Sequence, residues 1–160
     1  MLDKPMLRLA SRDDALTIAR LSRDRIEQGL GWSWTAPRVL RSILAADTNA
    51  VVALDRDRLL LGFGIMKYGD DAAHLLLLAV RADSARQGVG TALVDWLEAS
   101  ARVAGVAQIG LEARATNAQA RSFYRRLGYR ETQSLPGYYQ GREACVRLAK
   151  DLWAERALPP

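Results

Sequence analysis

The stretch Ala85-Arg86-Gln87-Gly88-Val89-Gly90-Thr91 sets a basic side chain beside two glycines, and that combination could do chemistry. Gly88 and Gly90 let a main chain turn tightly and come close to a bound group. Val89, Leu93, Trp96, Leu97 and Val103 then recur on one helical face, so the turn opens a helix whose first N–H groups lack intrahelical partners. Those donors, the positive end of the helix dipole and Arg86 suit a phosphate or pyrophosphate. The bland alternative is a tight strand-to-helix connection that binds nothing. No Gly-Lys-Ser/Thr follows, which disfavours a nucleotide P-loop, and Leu93 stands where a dinucleotide fingerprint needs its third glycine.

Other chemistries are excluded by what the chain lacks. His74 is its only histidine and Cys145 its only cysteine, so neither an intrachain disulfide nor a Cys/His zinc site can be assembled, and no metal is expected. A Ser-His-Asp triad would need His74, which stands at the expected start of a strand with no recognisable nucleophile motif. Cys145 reads as a small core residue. The net charge of +5 favours anionic partners. Because the arginines are scattered, with neither an aromatic RNA-binding signature nor zinc-finger spacing, a phosphate-rich small molecule is a better partner than nucleic acid. The longest apolar run, Leu75–Val80, is far short of the roughly 20 residues a membrane span needs, and the amino terminus lacks a basic-then-apolar layout, so a cytoplasmic protein is expected.

The elements that must position these residues follow from periodicity and punctuation. At 160 residues the chain suits one domain, taken as residues 1–153, with a frayed tail at 154–160. Met6–Ala10 reads as a strand, and Ser11 as the cap of a helix running to about Gln28, which Gly29 ends. The aromatic loop Gly31-Trp32-Ser33-Trp34 leads to a second helix capped by Thr35 and stopping near Asp47; its tryptophans suit packing or the wall of a substrate pocket. Ala50–Leu54 and Leu59–Tyr68 form a hairpin, and Gly62 and Gly64 inside it mark a bulge or a close backbone approach. The strand from His74 to Val80 precedes the glycine turn, and the helix after it ends at Gly105. A strand from Gln108 to Ala113 then pairs in parallel by a right-handed crossover. A helix from Asn117 to Leu127 and two strands, Tyr129–Gln133 and Ala144–Lys150, flank a loop from Leu135 to Arg142.

Two segments bring a family into view. Ala85-Arg86-Gln87-Gly88-Val89-Gly90 resembles the Arg/Gln-x-x-Gly-x-Gly/Ala loop of the GNAT superfamily of acetyl-CoA-dependent N-acetyltransferases. Asn117-x-x-Ala120-x-x-Phe123-Tyr124-x-x-x-Gly128-Tyr129 resembles the second GNAT signature, and the order of elements from Met6 to Leu152 agrees. The first loop position is Ala85 where the family has Arg or Gln; backbone donors from Arg86 to Thr91 do not depend on that side chain.

The resemblance implies an α/β fold, a mixed and mostly antiparallel sheet of six to seven strands with a central parallel pair and about four helices. It implies that Arg86, Gln87, Gly88, Val89, Gly90 and Thr91 hold the diphosphate of acetyl-CoA. Leu78, Ala79 and Val80 would pair with the pantetheine arm where their strand splays from its parallel neighbour, and Asn117 would touch the same arm while capping its helix. The peptide Nα-acetyltransferases, notably those acting on ribosomal proteins, are closest in motif: Glu112 matches their general base and Tyr124 their general acid. Tyr138 and Tyr139, within Gly137-Tyr138-Tyr139 and ahead of Gly141-Arg142-Glu143-Ala144, resemble their paired tyrosines that hold the peptide end; Trp32 and Trp34, which no family pattern ties to an acceptor, are candidate substrate contacts by residue type alone.

Acetyl transfer requires a neutral amine. An α-amino group near pKa 8 is roughly a tenth neutral at pH 7, a lysine near 10.4 about once in two thousand, so presenting the free base costs about 1.4 kcal/mol for the first and about 4.6 for the second. A modest base therefore suffices for a peptide amino terminus. Small amines such as a polyamine, an antibiotic or an amino-acid derivative are the alternative acceptors, and a catalytically silent acyl-CoA sensor is the alternative role.

Overall fold

Apolar runs dominate Thr48–Leu54 and Leu60–Tyr68, most of whose residues are buried, as strands covered on both faces require. In the computed structural model, which describes residues 4–139 and 143–153, Met6–Leu9 (β1), Thr48–Leu54 (β2) and Leu60–Tyr68 (β3) are antiparallel neighbours. Val51, Val52 and Phe63 on them expose no surface. Ala72–Val80 (β4), Gln108–Arg114 (β5), Arg130–Tyr139 (β6) and Glu143–Asp151 (β7) complete a seven-stranded sheet in the order β1-β2-β3-β4-β5-β7-β6. β4 and β5 run parallel, and β7 is antiparallel to both β5 and β6. Four helices accompany the sheet among the described residues: Ala15–Arg25 (α1), Ala36–Leu44 (α2), Val89–Ala104 (α3) and Ala118–Arg126 (α4). This is the expected mixed α/β class. None of these helices is long and apolar enough to cross a membrane. The tail at 154–160 and the loop residues 140–142 lie outside the described residues.

The chain packs as two compact units, one of Met1–Lys67 with Leu76–Ala99 and one of Tyr68–Leu75 with Ser100–Pro160. In the first, Ile18 and Ala19 of α1 and Val39 of α2 close over Val52, Phe63, Ile65 and Leu77. Each large side chain buried there contributes about 1.5–3 kcal/mol. The chain enters α1 through a single tight turn, Arg12–Asp14, fixed by a capping box: the Ser11 N–H donates to Asp14 Oδ2 at 2.7 Å, and Arg8 Nη1 donates to the same oxygen at 2.7 Å. Burial works to raise the Asp14 pKa, but the hydrogen bonds and charge of Arg8 and the Ser11 bonds outweigh it and hold the carboxyl below its usual value.

Gly62 and Gly64 mark close approach. A Cβ on Gly62 would lie 2.8 Å from the Ala79 carbonyl and 3.3 Å from Leu93 Cδ1, and one on Gly64 would lie 2.8 Å from Leu97 Cδ1. The absent side chains let α3 settle on β3. That seat fixes where the amino end of α3 begins.

Several boundaries differ from the sequence reading: α2 stops at Leu44 rather than near Asp47, and β2 begins at Thr48 rather than Ala50. α1 stops at Arg25 rather than near Gln28, because the Glu27 side chain turns inward to the following loop. β4 begins at Ala72, which puts His74 inside the strand instead of at its start. β6 continues through Tyr139, where a loop from Leu135 was expected. Its register shifts between Leu135 and Tyr139, around Pro136 and a left-handed Gly137 at φ 65°. β6 is the last strand of the sheet, and an edge tolerates the donor that proline lacks.

Candidate active site

β5 exposes alternate residues, and Gly110, Glu112 and Arg114 share its less buried face. The parallel register sets His74 of β4 opposite Gly110. His74 Nε2 forms a hydrogen bond with Glu112 Oε2. On the other side the antiparallel register sets Arg147 of β7 opposite Glu112, with Arg147 Nε 3.5 Å from Oε1. Tyr138 Oη, carried on β6 beyond the register shift, donates to Oε1 at 3.3 Å. Four strands thus converge on one carboxylate whose side chain is 11% exposed.

Burial works to raise the Glu112 pKa, but the hydrogen bond and charge of His74, the charge of Arg147 and the Tyr138 hydrogen bond outweigh it, so the group stays ionised below the usual carboxylate range. The same carboxylate acts on its neighbours. Burial first, then the Glu112 charge, raises the Tyr138 phenol, and the same two causes raise the thiol of Cys145, which is fully buried.

Tyr124 lies on α4, 8% exposed, edge-to-face with Phe123 at 5.1 Å and with Tyr129 at 5.7 Å. Asn117 caps α4, its Oδ1 accepting from the Ala120 N–H at 3.0 Å. The amide nitrogen of that side chain keeps its donors for another group. Of Tyr139 only the backbone is described, paired with Glu143.

The glycine turn belongs to the first unit. Arg86 and Gly88 are both left-handed, at φ 63° and 84°, and α3 begins at Val89. Arg86, Gln87 and Gly88 are exposed, with open space where a Cβ on Gly88 would stand, while Val89 is buried and anchors the helix. A cradle of backbone donors open on one side fits a diphosphate. The parallel ladder joins Ala72–Leu75 to Gln108–Leu111 and ends there among the described residues, although β4 continues to Val80. The Arg81 N–H donates to Leu61 of β3, so by alternation the Ala79 main-chain groups face β3 and those of Leu78 and Val80 face the opposite edge. Arg25 Nε occupies the Val80 carbonyl at 3.1 Å. The Val80 N–H and the Leu78 groups therefore suit an added extended arm, and Ala79 does not.

Trp32 and Trp34 are part of the packing of the loop between α1 and α2. Trp32 Nε1 donates to the Ala19 carbonyl at 3.2 Å, and Trp34 rests against the core with the Arg38 guanidinium 3.9 Å above its ring. Trp32 is still 40% exposed.

Sequence reasoning picked out Glu112 and Tyr138 but did not join them, and it missed His74 and Arg147. The signal existed: a histidine and a glutamate stand on the partly exposed faces of two strands expected to pair in parallel. Bringing them together needs the register, which periodicity alone does not supply.

Residues 46–131 match the acetyltransferase (GNAT) domain family. The [ribosomal protein bS18]-alanine N-acetyltransferase of Escherichia coli K12 is 39% identical over 90 residues, 54% of this chain and 61% of that protein. The chain thus spans less than two thirds of the length of this curated relative. The crystal structure of Ard1 from Thermoplasma volcanium superposes with a TM-score of 0.80 at 25% identity, over 93% of this chain and 98% of that one. An aminoglycoside 6'-N-acetyltransferase complexed with coenzyme A shares the fold at a TM-score of 0.77 and 22% identity, over 97% and 98% of the two chains. The family match covers more than half of the chain and takes in the glycine turn, Glu112 and the segment from Asn117 to Tyr129, so the chain belongs to the GNAT acetyltransferase family.

Proposed function

We propose that the chain transfers an acetyl group from acetyl-CoA to the amino terminus of a peptide or protein. The observation that carries this reading is the Glu112 side chain, gripped by His74, Arg147 and Tyr138 on one face of β5. An incoming ammonium gives its proton to the Glu112–His74 pair, directly or through a water. Glu112, with its pKa held down, supplies the negative charge that draws the proton, and His74 holds that carboxylate in place through its hydrogen bond. The freed nitrogen attacks the thioester carbonyl carbon, the carbon–sulfur bond breaks as Tyr124 gives its phenolic proton to the departing sulfur, and the second proton that the nitrogen sheds on becoming an amide restores the Tyr124 phenol, directly or through a water. No acetyl-enzyme forms.

The remaining residues bind and orient. The Val80 N–H faces the oxyanion as it develops, Leu78 pairs with the pantetheine arm, and the Asn117 amide donates to it. Arg86 and the backbone N–H groups through Thr91 hold the diphosphate. The bS18-alanine acetyltransferase relative supports a peptide acceptor, as does the small cost of deprotonating an α-amine.

Release of free CoA from acetyl-CoA, measured with a pool of amino-terminal peptides and separately with a pool of small amines, tests this. Release with the peptides, and an acetyl group found on the α-nitrogen by mass spectrometry, is the expected result. Release with small amines alone would transfer the assignment to them, and CoA binding without release in either pool would leave a sensor.

A further inference from the structure

We infer that the loop between α1 and α2 is built to receive acceptors that carry acidic side chains just after the amino terminus. The inference rests on the peptide reading above and narrows its substrate class. The α1–α2 region turns a run of arginines outward. Arg20 and Arg23 are one helical turn apart on α1, Arg38 and Arg41 one turn apart on α2, and all four are exposed. Arg23 lies 5.2 Å over the Trp32 ring and Arg38 lies 3.9 Å over Trp34, so two guanidinium groups are held at indole rings and keep donors for a carboxylate.

The acidic groups nearby do little to neutralise this surface. Asp24 pairs with its neighbour Arg23, an exposed contact of small energy. Glu27 is 7% exposed and spends its charge inside the loop, accepting from the Ser33 N–H at 2.8 Å, from Ser33 Oγ at 2.5 Å and from the Trp34 N–H at 3.4 Å. It holds the loop in one shape, which lowers the ordering cost of docking a peptide. Arg20 and Arg41 have no hydrogen bond or ion pair among the described residues.

The position is also right. Arg25, the last residue of α1, donates to the carbonyl of Val80, whose own N–H is assigned to the reacting acetyl group. A peptide whose amine reaches the end of β4 would extend along this loop, and its second to fourth side chains would meet the guanidinium groups.

The test uses three peptides that share one amino-terminal residue and carry Asp/Glu, Asn/Gln or Lys at the next three positions. Free CoA release gives kcat/KM for each. The acidic peptide is expected to exceed the neutral one tenfold or more, with the difference in KM, and to lose most of that advantage between 50 and about 300 mM salt as screening shortens. The double charge reversal Arg20→Glu with Arg41→Glu, at two exposed positions without partners, is expected to lower kcat/KM for the acidic peptide at least fivefold more than for the neutral one. Equal kcat/KM for all three peptides, or a preference for the lysine peptide, overturns the acidic assignment and leaves amino-terminal acetylation standing. No release with any of the three, while small amines are acetylated, overturns both.

Discussion

Replacing Glu112 by glutamine separates catalysis from stability, because the two effects differ in size by the geometry of its partners. Glutamine keeps the length of the side chain and an acceptor for Tyr138 but deletes the charge that faces His74 and Arg147. General-base assistance contributes about 10²–10⁴ in rate, or about 2.7–5.5 kcal/mol of barrier. The structural loss is smaller: His74 and Arg147 are 46% and 45% exposed, so each charge contact contributes under about 1 kcal/mol. A chain of this length shifts its Tm by about 2–4 °C per kcal/mol. Turnover measured by CoA release should therefore fall at least a hundredfold, while Tm moves by a few degrees and CoA affinity, read by titration calorimetry, stays within twofold. Turnover within threefold of the parent, or an equal collapse of CoA affinity, would refute the assignment of Glu112.

Tyr124→Phe should lower kcat a hundredfold or more with little change in CoA affinity, since the ring contacts persist and only the proton donor is lost; equal losses in both, or none, would count against the acid role. Gly62→Ala places a Cβ 2.8 Å from the Ala79 carbonyl, so urea unfolding should show about 1–3 kcal/mol of destabilisation, and an unchanged midpoint would contradict the close approach of the β4 backbone at Gly62. The folded pKa values of Asp14 and Glu112 are both depressed, so their contribution to stability is present above the ordinary carboxylate range and is lost as pH falls through the depressed values. Urea midpoints taken from pH 7 down to 3 should fall less steeply for Asp14→Asn and for Glu112→Gln than for the parent; parallel curves would mean that neither group carries the linkage.

Much of the fold was legible because its signals are local. Gly88 and Gly90 announced a turn into a helix, Gly62 and Gly64 a close approach, and Gly105 the end of α3. Asn117 showed its capping role by residue type alone. The misread parts depend on partners distant in sequence. β6 was cut short because Pro136 and Gly137 punctuate like a loop, whereas pairing with β7 resumes beyond them at Tyr139. α1 was overextended because nothing local reveals that Glu27 turns back to bind Ser33. The candidate site was half visible for the same reason: Glu112, Tyr124 and Tyr138 stand in recognisable segments, but His74 and Arg147 acquire meaning only once two strand registers set them beside Glu112. Ala79 shows the finer limit, since three consecutive strand residues were assigned one task that the alternation of the backbone divides between two edges.

The burial of Cys145 has a practical side. It is the only cysteine of the chain, it exposes no surface, and its surroundings favour the protonated thiol over the thiolate that reacts with disulfide reagents. The folded chain should therefore be silent to a colorimetric sulfhydryl reagent, so that in the CoA-release assay each equivalent of colour reports one molecule of liberated coenzyme A. A signal from the protein itself would instead register its unfolding, which makes the same reagent a built-in check on sample integrity.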